Sequence, residues 1–344
     1  MNILALNAGS SSVKFAAYRA GPSRIEELLS GDVASSGVES MREVVAHVSR
    51  RIADAHLPPP DAIGHRIVHG GPALRRHCVI DGSVLGEIEA AAAYAPLHAP
   101  AALALVRFAQ EHFPGAAQVA CLDTAFHADM PEVARVLPLP KALRSEGIRR
   151  YGFHGLSCES IVHQLGDTLP ERLAIAHLGN GASVTAVRHG QSIDTSMGFT
   201  PTGGVIMGTR SGDLDPGLLV HLLREKKLDA ATLEELVDRR SGLLGISGVA
   251  SDMRKLREAA SSNDDARLAI EMFCYSVRKS IGAMGAALGG VDLLVFTGGI
   301  GENDAQARAA ICGGDRASPC PVRVLASQEN ERIAHHTWRL CAKG

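Results

Sequence analysis

Asn2-Ile3-Leu4-Ala5-Leu6-Asn7-Ala8-Gly9-Ser10-Ser11-Ser12-Val13-Lys14-Phe15-Ala16-Ala17 runs from a short apolar stretch through a polar turn into a second apolar stretch, the pattern of strand, turn and strand. Residues 173–187, LAIAHLGNGASVTAV, repeat it, with Asn180 and Ser183 in the turn. A slide of 171 residues lays Ser12-Val13 on Ser183-Val184 and Gly9 on Asn180. One such unit in each half of the chain points to a duplicated architecture. A third apolar strand, Val291 to Phe296, ends in Thr297-Gly298-Gly299-Ile300-Gly301-Glu302-Asn303. Helical periodicity fills the intervals, among them residues 101–110, 214–225 and 265–288. Strands alternating with helices in two similar halves predict two α/β domains facing each other across a cleft. Pro138, Pro140 and Gly147 mark the boundary, which gives domains over 1–144 and 145–330.

Composition narrows the function. At 344 residues, with 46% apolar residues, the chain can build two ordinary cores. A formal charge of −2, with 35 basic and 37 acidic residues and no long run of one sign, argues against a nucleic-acid or membrane-surface binder. Seven cysteines without a C-x-x-C pair suit free thiols in a reducing compartment, and the N-terminal residues lack the pattern of a signal peptide. Both features predict a cytoplasmic protein. The most apolar later segments, residues 90–109 and 281–296, are interrupted by prolines and histidines or by glycines and Asp292, so neither reads as a membrane span.

The stretch from Gly198 to Gly217, GFTPTGGVIMGTRSGDLDPG, sets Arg210 among glycines and small hydroxyl residues. Such backbone turns tightly or approaches a ligand closely, and it supplies little to a core. With the three strand-to-turn junctions, it offers the N–H groups and hydroxyls that cradle phosphate. No Gly-Lys dipeptide occurs, so the P-loop signature is absent, and neither glycine cluster completes G-x-G-x-x-G. His65-Arg66 is followed by Ile67, which removes the protein-kinase catalytic loop. A nucleotide site built from paired hairpins remains.

Six strings in order resemble the acetate kinase family: Asn7 to Lys14, Gly64-His65-Arg66-Ile67-Val68-His69-Gly70-Gly71, Asp123-Thr124-Ala125-Phe126-His127, Tyr151-Gly152-Phe153-His154-Gly155, His177-Leu178-Gly179-Asn180-Gly181, and residues 198–217. The resemblance implies two duplicated domains of the actin-like ATPase (ribonuclease H-like) type around a nucleotide cleft, the first completed by a C-terminal helix over 331–344. It implies transfer of a phosphoryl group from ATP to acetate, giving ADP and acetyl phosphate, with Mg²⁺, or Mn²⁺ in its place, and a homodimeric enzyme. A propionate or other short-chain acyl kinase shares the same machinery. A nucleotide-binding relative without chemistry would have no need of Arg66, Asp123, His154 and Arg210.

By the same resemblance, Arg66, Arg210 and His154 surround the transferring group, and Asp123 is the carboxylate beside metal and reaction centre. Asn7 and Glu329 match the magnesium positions. Ser10, Ser12 and Lys14 match the first phosphate hairpin, and His177, Asn180 and Gly181 the second. Asp252, Arg254 and Gly299 match nucleoside contacts, although Asp252 and Arg254 also suit a local ion pair at a helix start. Arg66, Val68, Leu97, His98, Phe153 and Pro201 match the acyl pocket. The chain departs from the family in being several tens of residues shorter, upstream of Arg66 and between Asn303 and Glu329. Leu156 and Cys158 also stand where Thr and His are usual.

Overall fold

β1 (Asn2–Ala8), β2 (Ser12–Ala20) and β3 (Ile25–Ala34) form an antiparallel meander in the computed structural model, which describes residues 1–9, 12–22, 24–35, 37–95, 99–313 and 320–342. β4 (Ala62–Ile67) and then β6 (Ala117–Leu122) add parallel to β1, and the short β5 (Cys78–Val79) closes the edge antiparallel to β6. The second sheet repeats this plan. β7 (Arg172–Leu178), β8 (Ala182–Arg188) and β9 (Gln191–Thr195) form the meander, and β10 (Leu293–Thr297) and β11 (Val322–Val324) add in parallel on the β7 side. The orders are β3-β2-β1-β4-β6-β5 and β11-β10-β7-β8-β9, so the duplication read from the hairpins extends to whole sheets.

The hairpin turns differ in one respect. Ala8 pairs with Val13 and encloses residues 9–12, whereas Leu178 pairs with Ala182 and encloses only 179–181. A constant slide of 171 residues is therefore not kept through both strands.

Two compact units contain these sheets. The first comprises Met1–Ala128, Gly155–Ser160 and Gln328–Gly344; the second comprises Asp129–His154 and Ile161–Ser327. The change at Ala128 precedes the boundary expected at 144. Residues 129–154 join the second unit because Arg150 Nη1 donates to the Thr195 and Met197 carbonyls (2.8 and 3.2 Å) and Tyr151 N donates to Gly198 O (3.0 Å).

In the first unit, β1 alternates between two cores. Leu4, Leu6 and Ala8 pack with the helix Met41–Asp54, whose Met41, Val44, Val45, Val48 and Ile52 recur at helical spacing, while Ile3 and Ala5 pack with Ile333 and Ala334 of the C-terminal helix Glu329–Cys341. A sheet covered on both faces needs the near-continuous apolar strand that the sequence contains. In the second unit, the 25-residue helix Asp264–Leu288 buries Ala269, Phe273, Val277 and Met284 and starts at the Asn263 cap. Among the described residues, no helix is long and apolar enough to cross a membrane.

Candidate active site

In the first unit, the polar residues of interest stand at the carboxyl ends of neighbouring parallel strands. Asn7 lies near the end of β1, Arg66 near the end of β4, and Asp123 directly after β6. Open α/β sheets bind ligands at these strand ends, where side chains leave the sheet and backbone groups need partners. Asp123 is fully buried, and its N–H donates to Ile67 O (2.9 Å). Arg66 donates to Asp123 Oδ2 through Nε (3.0 Å) and Nη2 (2.5 Å), and to Ala8 O through Nη1 (3.2 Å). Burial opposes the Arg66 charge, but Asp123 and then Glu329 outweigh it and raise the guanidinium above its ordinary value. The cation is therefore fixed in position and in charge.

Asn7, also buried, donates its amide nitrogen to Glu329 Oε2 (2.8 Å). Glu329 opens the C-terminal helix, 322 residues along the chain from Asn7. The two residues assigned to magnesium are thus in direct contact. An amide oxygen and carboxylates are the hard oxygen donors Mg²⁺ takes, and Mg²⁺ uses few of them because it keeps several waters. The residues present fit the ion.

A second group forms within the second unit. His154, at φ 58°, stands before the helix Gly155–Leu165; its Nδ1 meets Ser183 Oγ (3.0 Å) and its ring stacks on His177 at 4.2 Å between centroids. Gly181 lies against both His154 and Arg210: a β-carbon there would come 3.1 Å from His154 Nε2 and 3.5 Å from Arg210 Nη1. Arg210 is buried and donates to Pro201 O (3.1 Å). The stretch that carries it bends through Gly204, at φ 95°, where a β-carbon would meet Ser196 O at 2.7 Å. Asn180 O accepts from Gly208 N (3.0 Å), tying the β7–β8 turn to the same stretch. Gly179 N donates to Gly181 O (2.9 Å), and a β-carbon on Gly179 would lie 3.9 Å from Gly299 N. His154, His177, Asn180, Gly181, Arg210 and Gly299 are brought together.

Ser12 is half-buried at the start of β2, and Lys14 is exposed, opposite Asn7 on β1 and Asp32 on β3. Asp252 caps the helix Met253–Ala259 through Oδ1 to Arg254 N (2.8 Å), and Arg254 Nη2 returns to Asp252 Oδ2 (2.8 Å), the local ion pair. That hydrogen bond from Arg254 holds the Asp252 carboxyl at about 2. Val68, Phe153 and Pro201 are buried. Ser10, Leu97 and His98 lie outside the described residues.

Two residues escaped sequence reasoning. Ser183 orients His154, and its position opposite Ser12 in the repeat was the available signal. Glu302 accepts from Gly298 N (2.9 Å) and Ser327 N (3.0 Å), fixing the turn after β10. It follows Gly298 by four residues, one helical turn, within the quoted glycine string.

A duplicated sheet, an antiparallel three-stranded meander extended by parallel strands, with charged residues at its strand ends, is the plan of phosphotransferases of the actin-like ATPase fold. The sequence profile of the Acetokinase family matches residues 34–316, and the chain belongs to that family. It is 38% identical to an acetate kinase of Rhodopseudomonas palustris, covering 99% of each chain, and 42% identical to one of Acaryochloris marina, covering 99% of this chain and all of the other. The first alignment spans 395 positions against 344 residues here, in keeping with the shortened regions. Among solved structures, an acetate kinase of Porphyromonas gingivalis superposes with TM-score 0.84 and 34% identity, over 99% of each chain. A propionate kinase of Francisella tularensis gives 0.88 and 34%, over 98% of this chain and 99% of the other.

Proposed function

We propose that this chain transfers the γ-phosphoryl group of ATP to acetate by direct in-line displacement, giving ADP and acetyl phosphate. The observation that carries the reading is the fixed Arg66–Asp123 pair at the ends of β4 and β6, with Asn7 and Glu329 in contact at the end of β1, in a chain whose relatives are named acetate kinases. A carboxylic acid with a pKa of about 4 is already ionised at neutral pH, so the acceptor needs no general base. The obstacle is repulsion between anions. Each unit-charge pair at 4 Å costs about 4 kcal/mol at an effective dielectric near 20, so several pairs would dominate the barrier.

Fixed cations and aimed donors offset that cost. Arg66 and Arg210 are assigned to the acceptor carboxylate and the equatorial phosphoryl oxygens. His154 is the third donor: Ser183 holds Nδ1, which orients Nε2 toward Gly181. Ser10, Ser12 and Lys14, with His177, Asn180 and Gly181, are assigned to the phosphates, and Asp252, Arg254 and Gly299 to the nucleoside. Asn7 and Glu329, with Asp123 close to the reaction centre, would hold Mg²⁺ or Mn²⁺, which supplies neutralising charge on phosphate oxygens. Val68, Leu97, His98, Phe153 and Pro201 are assigned to the acyl end.

A homodimer in the cytoplasm completes the proposal. The helix Pro216–Glu225 buries none of its residues and exposes Leu218, Val220 and Leu223, while Leu268, Met272 and Tyr275 form an exposed apolar stripe on the helix Asp264–Leu288. Apolar faces of this kind suit association, and light scattering tests it. The seven cysteines suit a reducing compartment.

Trapping the product with hydroxylamine tests the activity. Acyl hydroxamate should form from acetate with ATP and Mg²⁺; none from any short-chain acid, with folded protein and saturating ATP, would sink the reading. A second reading, propionate as preferred acceptor, is favoured by the Francisella tularensis neighbour. Comparing kcat/KM for acetate, propionate and butyrate decides between them.

A further inference from the structure

The first unit holds a second, half-buried polar cluster that the assignments above do not use. Glu159 lies on the helix Gly155–Leu165 and receives Arg332 Nη2 on Oε1 (2.9 Å) and His336 Nε2 on Oε2 (2.8 Å), both from the C-terminal helix. His77 Nε2 lies 3.9 Å from the same Oε2, and its ring packs on His336 with centroids 3.8 Å apart. Two histidines and a carboxylate within a few ångströms suggest a metal centre at first sight. The hydrogen-bond pattern argues against one. Leu122 N–H donates to His77 Nδ1 (3.0 Å), so the neutral ring carries its proton on Nε2, where a metal ligand needs a lone pair. Glu159 is an anion surrounded by donors.

Its consequence lies along the two helices that it joins. Ser160, the next residue, accepts from Gln328 N through Oγ (3.2 Å), immediately before Glu329. At the other end of the same short segment, Gly155 N donates to Asp123 O (2.9 Å) and Leu156 N to Asp123 Oδ1 (3.5 Å). Residues 155–160 therefore hold Asp123 at one end and the first turn of the C-terminal helix at the other. They belong to the first compact unit although the remainder of their helix does not.

We infer that Glu159 is a positioning residue for the metal-holding pair: through Arg332 and His336, and beside the Ser160–Gln328 bond, it sets where Glu329 presents its carboxylate to Asn7. The inference rests on the proposed role of Asn7 and Glu329. Partners of this kind that orient a metal ligand typically change affinity about 10–100-fold when removed.

The test uses the full chain and two readouts besides turnover. Backbone hydrogen exchange over residues 327–333 should become about tenfold faster or more in Glu159→Ala, with β8 unchanged, because both bonds that tie the C-terminal helix to Glu159 are lost. Binding of Mn²⁺ in the presence of ADP, followed by the loss of the free-ion resonance signal, should weaken about tenfold or more. In a Glu329→Ala background the same Glu159→Ala change should leave Mn²⁺ affinity unaltered, since the carboxylate to be positioned is gone. Unchanged Mn²⁺ affinity in Glu159→Ala, or an equal loss in both backgrounds, overturns the inference. If Glu329→Ala alone leaves Mn²⁺ binding intact, the metal reading of Glu329 itself is overturned, whatever Glu159 does. Should Glu159→Ala not fold, Glu159→Gln, which keeps the volume and an oxygen for Arg332, carries the same comparison with an intermediate effect.

Discussion

Arg66 has a second task besides its assigned chemistry, because it neutralises Asp123, a carboxylate with no exposed surface. Removing one partner of a buried ion pair costs about 3–5 kcal/mol, because the other charge stays buried and unpaired. Arg66→Ala should therefore lower both kcat, by about a hundredfold or more, and the melting temperature. Arg210→Ala should lower kcat comparably. Parallel assays of turnover and thermal unfolding check this, and wild-type turnover in either variant, or an unchanged melting temperature in Arg66→Ala, would refute the assigned roles. At the acyl end, Val68→Ala should raise kcat/KM for propionate relative to acetate by a modest factor, since one methylene of apolar transfer is worth about 0.8 kcal/mol. An unchanged or lower ratio would remove Val68 from the pocket. The sequence made these residues legible because each sits in a short motif. It did not disclose that Arg66 and Asp123 are bonded to one another, since they are 57 residues apart and their pairing follows only from the parallel register of β4 and β6.

At the scale of elements, the hairpins, the third strand and the long helix were readable because apolar period and turn residues agree locally. The edge strand β5, two residues long, gives no periodic signal. The role of the C-terminal helix is likewise invisible to local pattern, because its partners lie on β1 and β4 at the other end of the chain. Gly64 on β4 records that packing: a β-carbon there would come within 2.2 Å of Thr337 Oγ1 and 2.5 Å of Ile333 Cγ2. The helix thus lies on the sheet at a distance only glycine permits. Gly64→Ala should cost about 1–3 kcal/mol through overpacking, and it should also weaken metal binding, because displacement of the helix moves Glu329. Thermal unfolding and Mn²⁺ titration of the variant check both. Wild-type values for each would mean that the helix adapts without moving its first turn. Removing the chain after Ser327 should prevent the first unit from folding, since Ile333, Ala334 and Thr337 cover one face of its sheet.

For the molecule as a whole, two histidines withdrawn from solvent set the response to acid. Burial, only partly offset by the hydrogen bond to Gln118, pushes His65 down to about 4. Burial and the neighbouring His336 push His77 down to about 3. In the unfolded chain both rings take up a proton near pH 6.5, whereas the folded chain takes none until those lower values are reached. The unfolded state therefore binds more protons throughout this window, and stability must fall as pH drops from about 7 toward 4. At one pKa unit per roughly 1.4 kcal/mol, the contribution of His65 alone is on the order of 3 kcal/mol, a large fraction of a typical folding free energy of about 5–15 kcal/mol. Glu159 acts in a lower range. Burial works against its charge, but the hydrogen bond from His336 and the nearby Arg332 outweigh it and hold the carboxyl at about 2. Its depressed pKa contributes stability that is fully present above about 4.5 and is lost only as pH falls toward 2. Destabilisation between pH 7 and 4.5 should therefore come from the histidines, and calorimetric melting in that range isolates them. His65→Asn, which keeps a polar group of similar reach without a titrating ring, should flatten the profile relative to the parent chain even if it lowers the melting temperature at pH 7. A parent profile flat from pH 7 to 5, or an unchanged slope in His65→Asn, would show that the ring is not held neutral in the folded protein.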